Sequence, residues 1–524
     1  MVNRLKQTTQ HNIYLIFTYF AFGTFVFFKL IFVFYGYIAT EEGTSIYNQK
    51  LAYSGRLPFV NYDAWNSFIN DYLVGWYQLI IKPSILNQRL FGLILSCAIF
   101  LLTLKLSRIF KSNRLTCITA ILLTFGSYSF VYLGTVPFSD QTMSLFILFG
   151  LLLLSKNFLS RNLSAVWGFA GLALMTIAVF IRIQAIPMTL IAVLFFAWIN
   201  RKSLRKIGLS FLIVFGISLL ISLPFATGSL ANFSYALTWP MQADKILIYQ
   251  KYTSAVTFPM LTTFIQDAIR DYGIFLLVIP AAVIAYRSNF LKISSSKDKL
   301  FPSLLVLIAG SFLITGLIHK PPYASYLNSG VPVFSLLAAY ALEVFISNLN
   351  KKRDKKFFYL ISTIFLINNF FQYPHFKYIK TAKDTLANTP HAYLDRISSS
   401  IAAATNPGDE VLSFYTPITV TAGRIIPDNL NRDRFSLTFL PTPEALKFHL
   451  TNSEMLINYI NSRRAKIIAF SNDYTDYFGA TESERTSILS AIEKNYTKLM
   501  DSDTMKYMES PKAKPLHVFV LRTF

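Results

Sequence analysis

The chain has 524 residues, of which 53% are hydrophobic, 16% aromatic and only 15% charged. A soluble domain carries about 25% charged residues, so the composition excludes an ordinary soluble protein and points to many membrane spans with one modest soluble domain. The net charge of +22 is not a nucleic-acid footprint: residues 1–372 hold 31 Lys/Arg against 11 Asp/Glu, and residues 373–524 hold 18 against 16, so the excess lies between apolar segments.

In chain order, Arg4 and Lys6 precede an apolar run at 13–36. That run is too long for the core of a signal peptide and no small-residue cleavage site follows, so it reads as a retained first span. Further runs at 88–109, 115–133, 141–155, 164–181, 184–200, 207–225, 272–286, 300–318, 331–347 and 357–372 bring the expected spans to about eleven. Lys29 lies inside the first of them and is expected to snorkel outward, with contact to a lipid phosphate as the alternative. Cys97 and Cys117, the only cysteines, fall within apolar runs, so no disulfide framework or CxxC metal signature exists.

The connectors set the orientation. With the N-terminus inside, basic clusters at 105–114, 156–161, 201–206, 287–299 and 351–356 fall on the inner side. The outer loops then hold eight of the eleven acidic residues before position 373, among them Glu41, Glu42, Asp63, Asp71 and Asp140. An odd number of spans sends the C-terminal part outside. Two outer loops are long: 37–87, where Phe68 to Ile81 is half apolar like an interfacial helix, and 226–271, with Trp239-Pro240 and several tyrosines. Beyond residue 372, strands are expected at Val411–Tyr415, Lys466–Phe470 and His517–Leu521, with helices near 443–462 and 482–496. The fold class expected is thus a polytopic α-helical membrane domain over 1–372, followed by a small extracytoplasmic α/β domain over 373–524.

The chemistry is expected where the first span ends. Glu41-Glu42-Gly43 is followed by Tyr47, Gly55, Pro58-Phe59 and Asn61-Tyr62. Two acids next to hydrocarbon either face water at a plain boundary or line a cavity, where partial desolvation makes a carboxylate a useful base. This pattern resembles the first outer loop of GT-C glycosyltransferases, in the bacterial protein-mannosyltransferase and aminoarabinose-transferase-like branch. Members typically open that loop with Asp-Glu-Gly, then a tyrosine, then Gly-x-x-Pro-Tyr-x-Asp-Phe. Arg89-Leu90 at the second span and Tyr326 followed by Pro332 are similar to further family features. Two positions depart from the pattern: Glu41 stands where the family has its aspartate base, and Asn61 replaces an acid.

The resemblance implies an inverting transfer from a polyprenyl-phosphate-linked sugar to a glycan, lipid or protein acceptor, on the outer side of a bacterial cytoplasmic membrane. Glu41 or Glu42 would be the base. A leaving phosphate needs fixed positive charge, for which Arg182, Lys320 and Arg56 are the candidates, with Lys50 weaker. Arg182 and Lys320 read equally as a polar turn and an interfacial anchor. Tyr47, Asp140 and Tyr323 are candidates for acceptor or loop support. Asp140, beside Ser139, is also explained as a helix N-terminal cap, while the resemblance offers a second acid in such a loop, at times a metal ligand. No His/Cys/Asp cluster has metal-ligand spacing, so no cofactor is expected. Two alternatives remain in view. A transporter or flippase of lipid-linked glycans would show charges within several spans and repeated halves. A polymerase using a diphosphate-linked donor would carry an arginine-rich outer loop, whereas 226–271 has only Lys245, Lys251 and Arg270.

Overall fold

The structure is a computed structural model, and it describes residues 2–64, 68–110, 120, 124, 130, 139–159, 165–237, 246–247, 258–272, 300–318, 324–347, 389–503, 505–508 and 513–522. Two compact units divide the chain: Met1–Ile31, Phe91–Leu220 and Val256–Ile379 form one, and Phe32–Leu90, Ile221–Ala255 and Lys380–Phe524 form the other.

The first unit is helical. Among the described residues of the whole chain, five helices are long and apolar enough to cross a membrane: Thr18–Tyr35, Ile85–Ser107, Ser139–Phe158, Leu204–Ala226 and Leu300–Leu317. Val166–Ile181 and Ile183–Ile199 are apolar but shorter, and Val331–Ser347 is a further helix. The expected span at 357–372, and nearly all of those at 272–286 and 115–133, lie outside the described residues. Helices Ser139–Leu159 and Val166–Ile181 approach through glycine: a Cβ at Gly171 would stand 2.8 Å from the Gly150 carbonyl oxygen, and one at Gly150 would stand 2.6 Å from Met175 Cγ. Without water to expel, helices in lipid gain by such close packing. Lys29 corrects an expectation. It does not snorkel; its side chain is fully buried, Nζ donates to the Phe130 carbonyl at 3.3 Å, and the Phe25 and Phe130 rings each lie 5.3 Å from it. A carbonyl and two ring faces partly replace the solvation that an ammonium loses on burial.

The second unit joins the loop after α1 (Val2–Tyr35) to the C-terminal part. Its loop portion consists of α2 (Thr40–Tyr53), α3 (Phe68–Gly75) and the start of α4 (Ile85–Ser107). The interfacial helix expected over Phe68–Ile81 is α3 followed by a single 3-10 turn, and it buries Asn70 and Asp71. The C-terminal portion holds a four-stranded sheet in the order β1-β2-β4-β3. These are β1 (Glu410–Ser413), β2 (Ala465–Ser471), β3 (Tyr496–Ser502) and β4 (Leu516–Leu521), with β1 parallel to β2 and β4 antiparallel to both its neighbours. Val411, Leu412, Ile467, Ile468 and Val518 form its buried interior.

The helix expected near 443–462 is two helices, Thr442–Lys447 and Ser453–Asn461. Between them His449 takes a left-handed φ of 55°, and Asn452 starts the second by accepting from the Met455 amide at 2.9 Å. β3 lacks a sequence signal because it begins directly where helix Glu482–Asn495 stops, at an edge that leaves most of its side chains in solvent.

Candidate functional site

Each residue of Glu41-Glu42-Gly43 has a separate task at the head of α2. Glu42 is fully buried and forms a two-pronged ion pair with Arg89, Nε to Oε2 at 2.7 Å and Nη2 to Oε1 at 2.8 Å. The Ala39 amide also donates to Glu42 Oε1 at 2.9 Å, closing the helix start. The other donors of Arg89 go to the end of α1: Nη1 to the carbonyls of Gly36 (2.9 Å), Phe32 (3.1 Å) and Val33 (3.3 Å), and Nη2 to that of Tyr37 (2.6 Å). Helix C-termini leave carbonyls unpaired, and here one guanidinium satisfies them while neutralising Glu42. Gly43 faces the C-terminal part, where a Cβ would overlap the Pro417 nitrogen and stand 2.6 Å from the Thr416 carbonyl carbon.

Glu41 is the acid that remains accessible, its side chain 31% exposed, and Arg434 Nη2 lies 3.7 Å from Oε1. The Arg434 guanidinium packs over the rings of Phe435 and Tyr474 at 5.2 and 5.1 Å. Next to it, Asp433 is almost completely buried, and its Oδ2 accepts from Thr40 Oγ1 at 2.9 Å and Thr44 Oγ1 at 3.3 Å. Burial pushes the Asp433 carboxyl up to about 7, with Arg434 opposing and Glu41 adding to the rise; the backbone of Arg434 also acts on it, lowering it. Its backbone φ of 48° is left-handed, a conformation that costs a non-glycine residue about 1–3 kcal/mol where it is strained.

The remaining motif residues shape the loop. Tyr47 is buried, and its hydroxyl donates to the Ile426 carbonyl at 3.0 Å and accepts from the Ile426 amide at 3.2 Å. Burial raises that hydroxyl to about 12. Gly55 ends α2 with φ 86°, the left-handed stop that glycine supplies without steric cost. In the turn after it, Asn61 Oδ1 accepts from the Leu57 amide at 2.8 Å, and Phe59 takes a left-handed φ of 65°. Asn232 holds the Phe59 carbonyl at 2.7 Å. Arg56 lies apart from Glu42 and Asp433 in kind: it is half exposed and pairs with the exposed Asp428 at 3.2 Å, a surface pair of small energetic weight.

A second polar cluster lies in the helical unit. Arg182 occupies the extended break between helices Val166–Ile181 and Ile186–Ile199, with φ −157°. It pairs with Asp140 at 2.7 Å, donates to Ser139 Oγ at 3.2 Å and Gln184 Oε1 at 3.1 Å, and packs over the Tyr326 ring at 5.5 Å. Ser329 Oγ donates to Asp140 Oδ1 at 2.8 Å. Arg182 and Asp140, separate candidates in the sequence, are therefore partners. Lys320 and Tyr323 lie outside the described residues. Among the described residues no group of His, Cys, Asp and Glu is placed to hold a metal ion.

The sequence reading missed Asn431-Arg432-Asp433-Arg434. Asn431 Nδ2 donates to Asn48 Oδ1 and to the Asp63 carbonyl, both at 2.8 Å, and Arg432 pairs with the buried Asp63. Burial raises the Asp63 carboxyl, opposed by Arg432. Asp433 and Arg434 then meet the first turn of α2. The available signal was the density of charge in this run, but nothing in the local sequence says what faces it.

No protein-family model matches the sequence, and no curated protein does. Solved structures do. ArnT from Cupriavidus metallidurans bound to undecaprenyl phosphate matches with a TM-score of 0.60 at 11% identity, over 96% of this chain and 97% of that one. The same protein in its apo state matches with a TM-score of 0.56, also at 11% identity, over 98% of each chain. The chain thus shares the polytopic helical membrane fold of these structures, and the resemblance read from the first outer loop agrees with it at the level of fold.

Proposed function

We propose that this protein is a GT-C-type membrane glycosyltransferase that moves a sugar, with inversion, from a polyprenyl-phosphate donor to an acceptor hydroxyl or amine on the outer side of a bacterial cytoplasmic membrane. The observation that carries the reading is the division of labour at the head of α2, in a chain with the fold of a protein crystallised with undecaprenyl phosphate. Both Glu42 oxygens are taken by Arg89 and the Ala39 amide, so Glu42 positions the helix. Glu41 keeps an accessible carboxylate and is the base. It takes the acceptor proton as the acceptor attacks the anomeric carbon and the bond to phosphate breaks.

In this reading about eleven spans carry the site and the C-terminal α/β part lies outside. There it helps to bind the acceptor and supplies Arg434, which holds Glu41 in place through a partly buried pair. Arg182 and Lys320 serve the donor phosphate; Arg182 is kept oriented by Asp140 and Tyr326. Arg56, tied to Asp428 at the surface, is the weakest of the three. Tyr47, Asp140 and Tyr323 support the loop or the acceptor, and no cofactor takes part. The test is transfer from radiolabelled polyprenyl-phosphate sugars by purified protein. Glu41→Gln should abolish transfer while leaving the protein folded, and undiminished transfer by that variant would remove Glu41 as the base.

A further inference from the structure

The helical unit carries a charged surface that the proposed reaction does not use. Arg201, Lys202, Arg205 and Lys206 crowd the turn between helices Ile186–Ile199 and Leu204–Ala226, and all four are exposed. Among the described residues no carboxylate pairs with any of them. Trp198, 41% exposed, lies 5.9 Å from the Arg201 guanidinium, and Trp167 lies 4.9 Å from the Lys156 ammonium. The Phe169 and Phe196 rings, 5.4 Å apart, put these two helix ends at one level. Tryptophan beside a basic residue at the end of an apolar helix marks the boundary between hydrocarbon and headgroups. Helix Leu204–Ala226 turns little of itself to the protein, with only 11% of its apolar length buried. On the face that starts at Arg205, at three- and four-residue steps, Gly208, Leu209, Leu212, Phe215, Gly216 and Leu219 form an exposed stripe. A Cβ at Gly208 or Gly216 would meet no atom within 4 Å, so the stripe is notched twice between larger side chains. From Arg205 to Leu219 it runs about 21 Å, more than the ~15 Å depth of one leaflet.

We propose that this turn and stripe form a binding site for an anionic glycerophospholipid. Arg201, Lys202, Arg205 and Lys206 hold its phosphate, Trp198 packs on its interfacial part, and one acyl chain lies along the notches at Gly208 and Gly216. The start of the helix adds to the attraction, since its aligned peptide dipoles favour an anion. Basic residues at the end of a span follow from topology alone. Topology does not require four cations without an acid, joined on one helix face to an open apolar stripe as long as an acyl chain is deep. A second copy of the chain is the other occupant such a face could take. In a two-fold dimer about the membrane normal, equivalent residues of the two copies meet at one level, so four cations would be set against four. An anionic headgroup neutralises them instead. In the orientation given by the basic residues, the cluster lies on the inner side, away from the outer-side reaction, so the occupant is a bulk membrane lipid and not the donor. The inference does not depend on the transferase reading. A lipid held here supplies the contact that the protein does not give this helix, and it stabilises the folded chain by binding it.

Trp198 is the reporter for the test. The full-length protein is placed in phosphatidylcholine nanodiscs that contain brominated phosphatidylglycerol or, at equal mole fraction, brominated phosphatidylcholine. Quenching at Trp198 is the part of the signal that Trp198→Phe removes. Brominated phosphatidylglycerol should reach half-quenching at a mole fraction lower by about 10-fold or more. Changing Arg201, Lys202, Arg205 and Lys206 together to glutamine should bring the two lipids within about 2-fold of each other. The same loss of charge elsewhere on the inner side, by Arg287→Gln, Lys292→Gln, Lys297→Gln and Lys299→Gln, should leave the preference as it was. Gly208→Leu with Gly216→Leu fills the notches, keeps every charge, and should weaken the preference by about 3-fold or more; this pair decides the matter even if the neutralised turn does not fold. Equal quenching by the two lipids overturns the proposal. So does an equal loss of preference in the control set, which reduces the effect to general surface charge. Undecaprenyl phosphate that displaces phosphatidylglycerol from Trp198 at equal mole fraction gives the site to the donor and overturns it as well. A dimer that Leu212→Trp dissociates, in the absence of any lipid preference, gives the face to a second copy.

Discussion

Replacing Arg89 with methionine removes every polar contact that holds Glu42 and the end of α1 together through its guanidinium. The guanidinium makes two charge-assisted bonds to Glu42 and four to carbonyls at the end of α1. Removing one member of a buried, hydrogen-bonded ion pair costs about 3–5 kcal/mol, chiefly because the other charge is left without compensation. Unsatisfied carbonyls add about 1–3 kcal/mol each where water cannot reach them, but they relax together, so the contributions do not sum. A loss of about 4 kcal/mol is the expectation for Arg89→Met.

The diagnostic is the cycle with Glu42→Gln rather than either single loss. The double variant no longer buries an unpaired carboxylate, so Arg89→Met should be milder in the Glu42→Gln background, with a coupling of about 2 kcal/mol or more. Equilibrium unfolding of the four proteins in one detergent measures it. Strictly additive losses, or an Arg89→Met variant as stable as wild type, would refute the claim that Glu42 is committed to structure. They would also reopen it as a base.

Four further outcomes are expected. Glu41→Asp withdraws the carboxylate by one methylene, and if the site is shaped for glutamate it should lower kcat by about 10–100-fold without changing unfolding. Gly43→Ala forces the first turn of α2 off Pro417 and Thr416, and should cost about 1–3 kcal/mol in an unfolding measurement. For Asp433 the folded-state value, about 7, lies above its ordinary 3.8, so the folded protein binds the proton more tightly than the unfolded chain between those values. This contribution to stability is full below pH 4 or so and declines as pH rises toward about 7; Asp433→Asn should flatten that part of the stability–pH curve. Arg182→Ala and Asp140→Asn should each reduce transfer, and the double variant should lose less than the product of the two, as the initial rates of all four proteins can show.

The membrane character and most of the helices could be read directly because hydropathy is a local property of a run. So could part of the first outer loop, since Gly55, Pro58 and Glu42 carry backbone or charge demands visible in the residues themselves. The reason for those demands was not legible. That Gly55 stops a helix follows from its place after α2, but that Gly43 must be glycine depends on Thr416 and Pro417, more than 370 residues away in the chain. The roles of Glu41 and Glu42 could not be told apart either, because only Arg89 separates them. Likewise Arg182 and Asp140 were each given a local explanation, a polar turn and a cap, whereas they compensate one another's charge. Lys29 misled for a related reason: an isolated charge in a span suggests escape to the interface, and the sequence does not show the Phe130 carbonyl that keeps it inside.

The distances along the chain that the site spans bear on when it comes into being. Arg89 is 47 residues past Glu42, so during synthesis the turn after the first span has no fixed form until the next span has begun to emerge. The pairing of Thr40 with Asp433 bridges 393 residues, and Arg434 follows immediately after. A chain halted anywhere between those points carries an anchored Glu42 and a Glu41 with neither its countercharge nor its carboxyl neighbour. Arrested or prematurely ended products would therefore lack these contacts at the head of α2, which only the last fifth of the chain supplies.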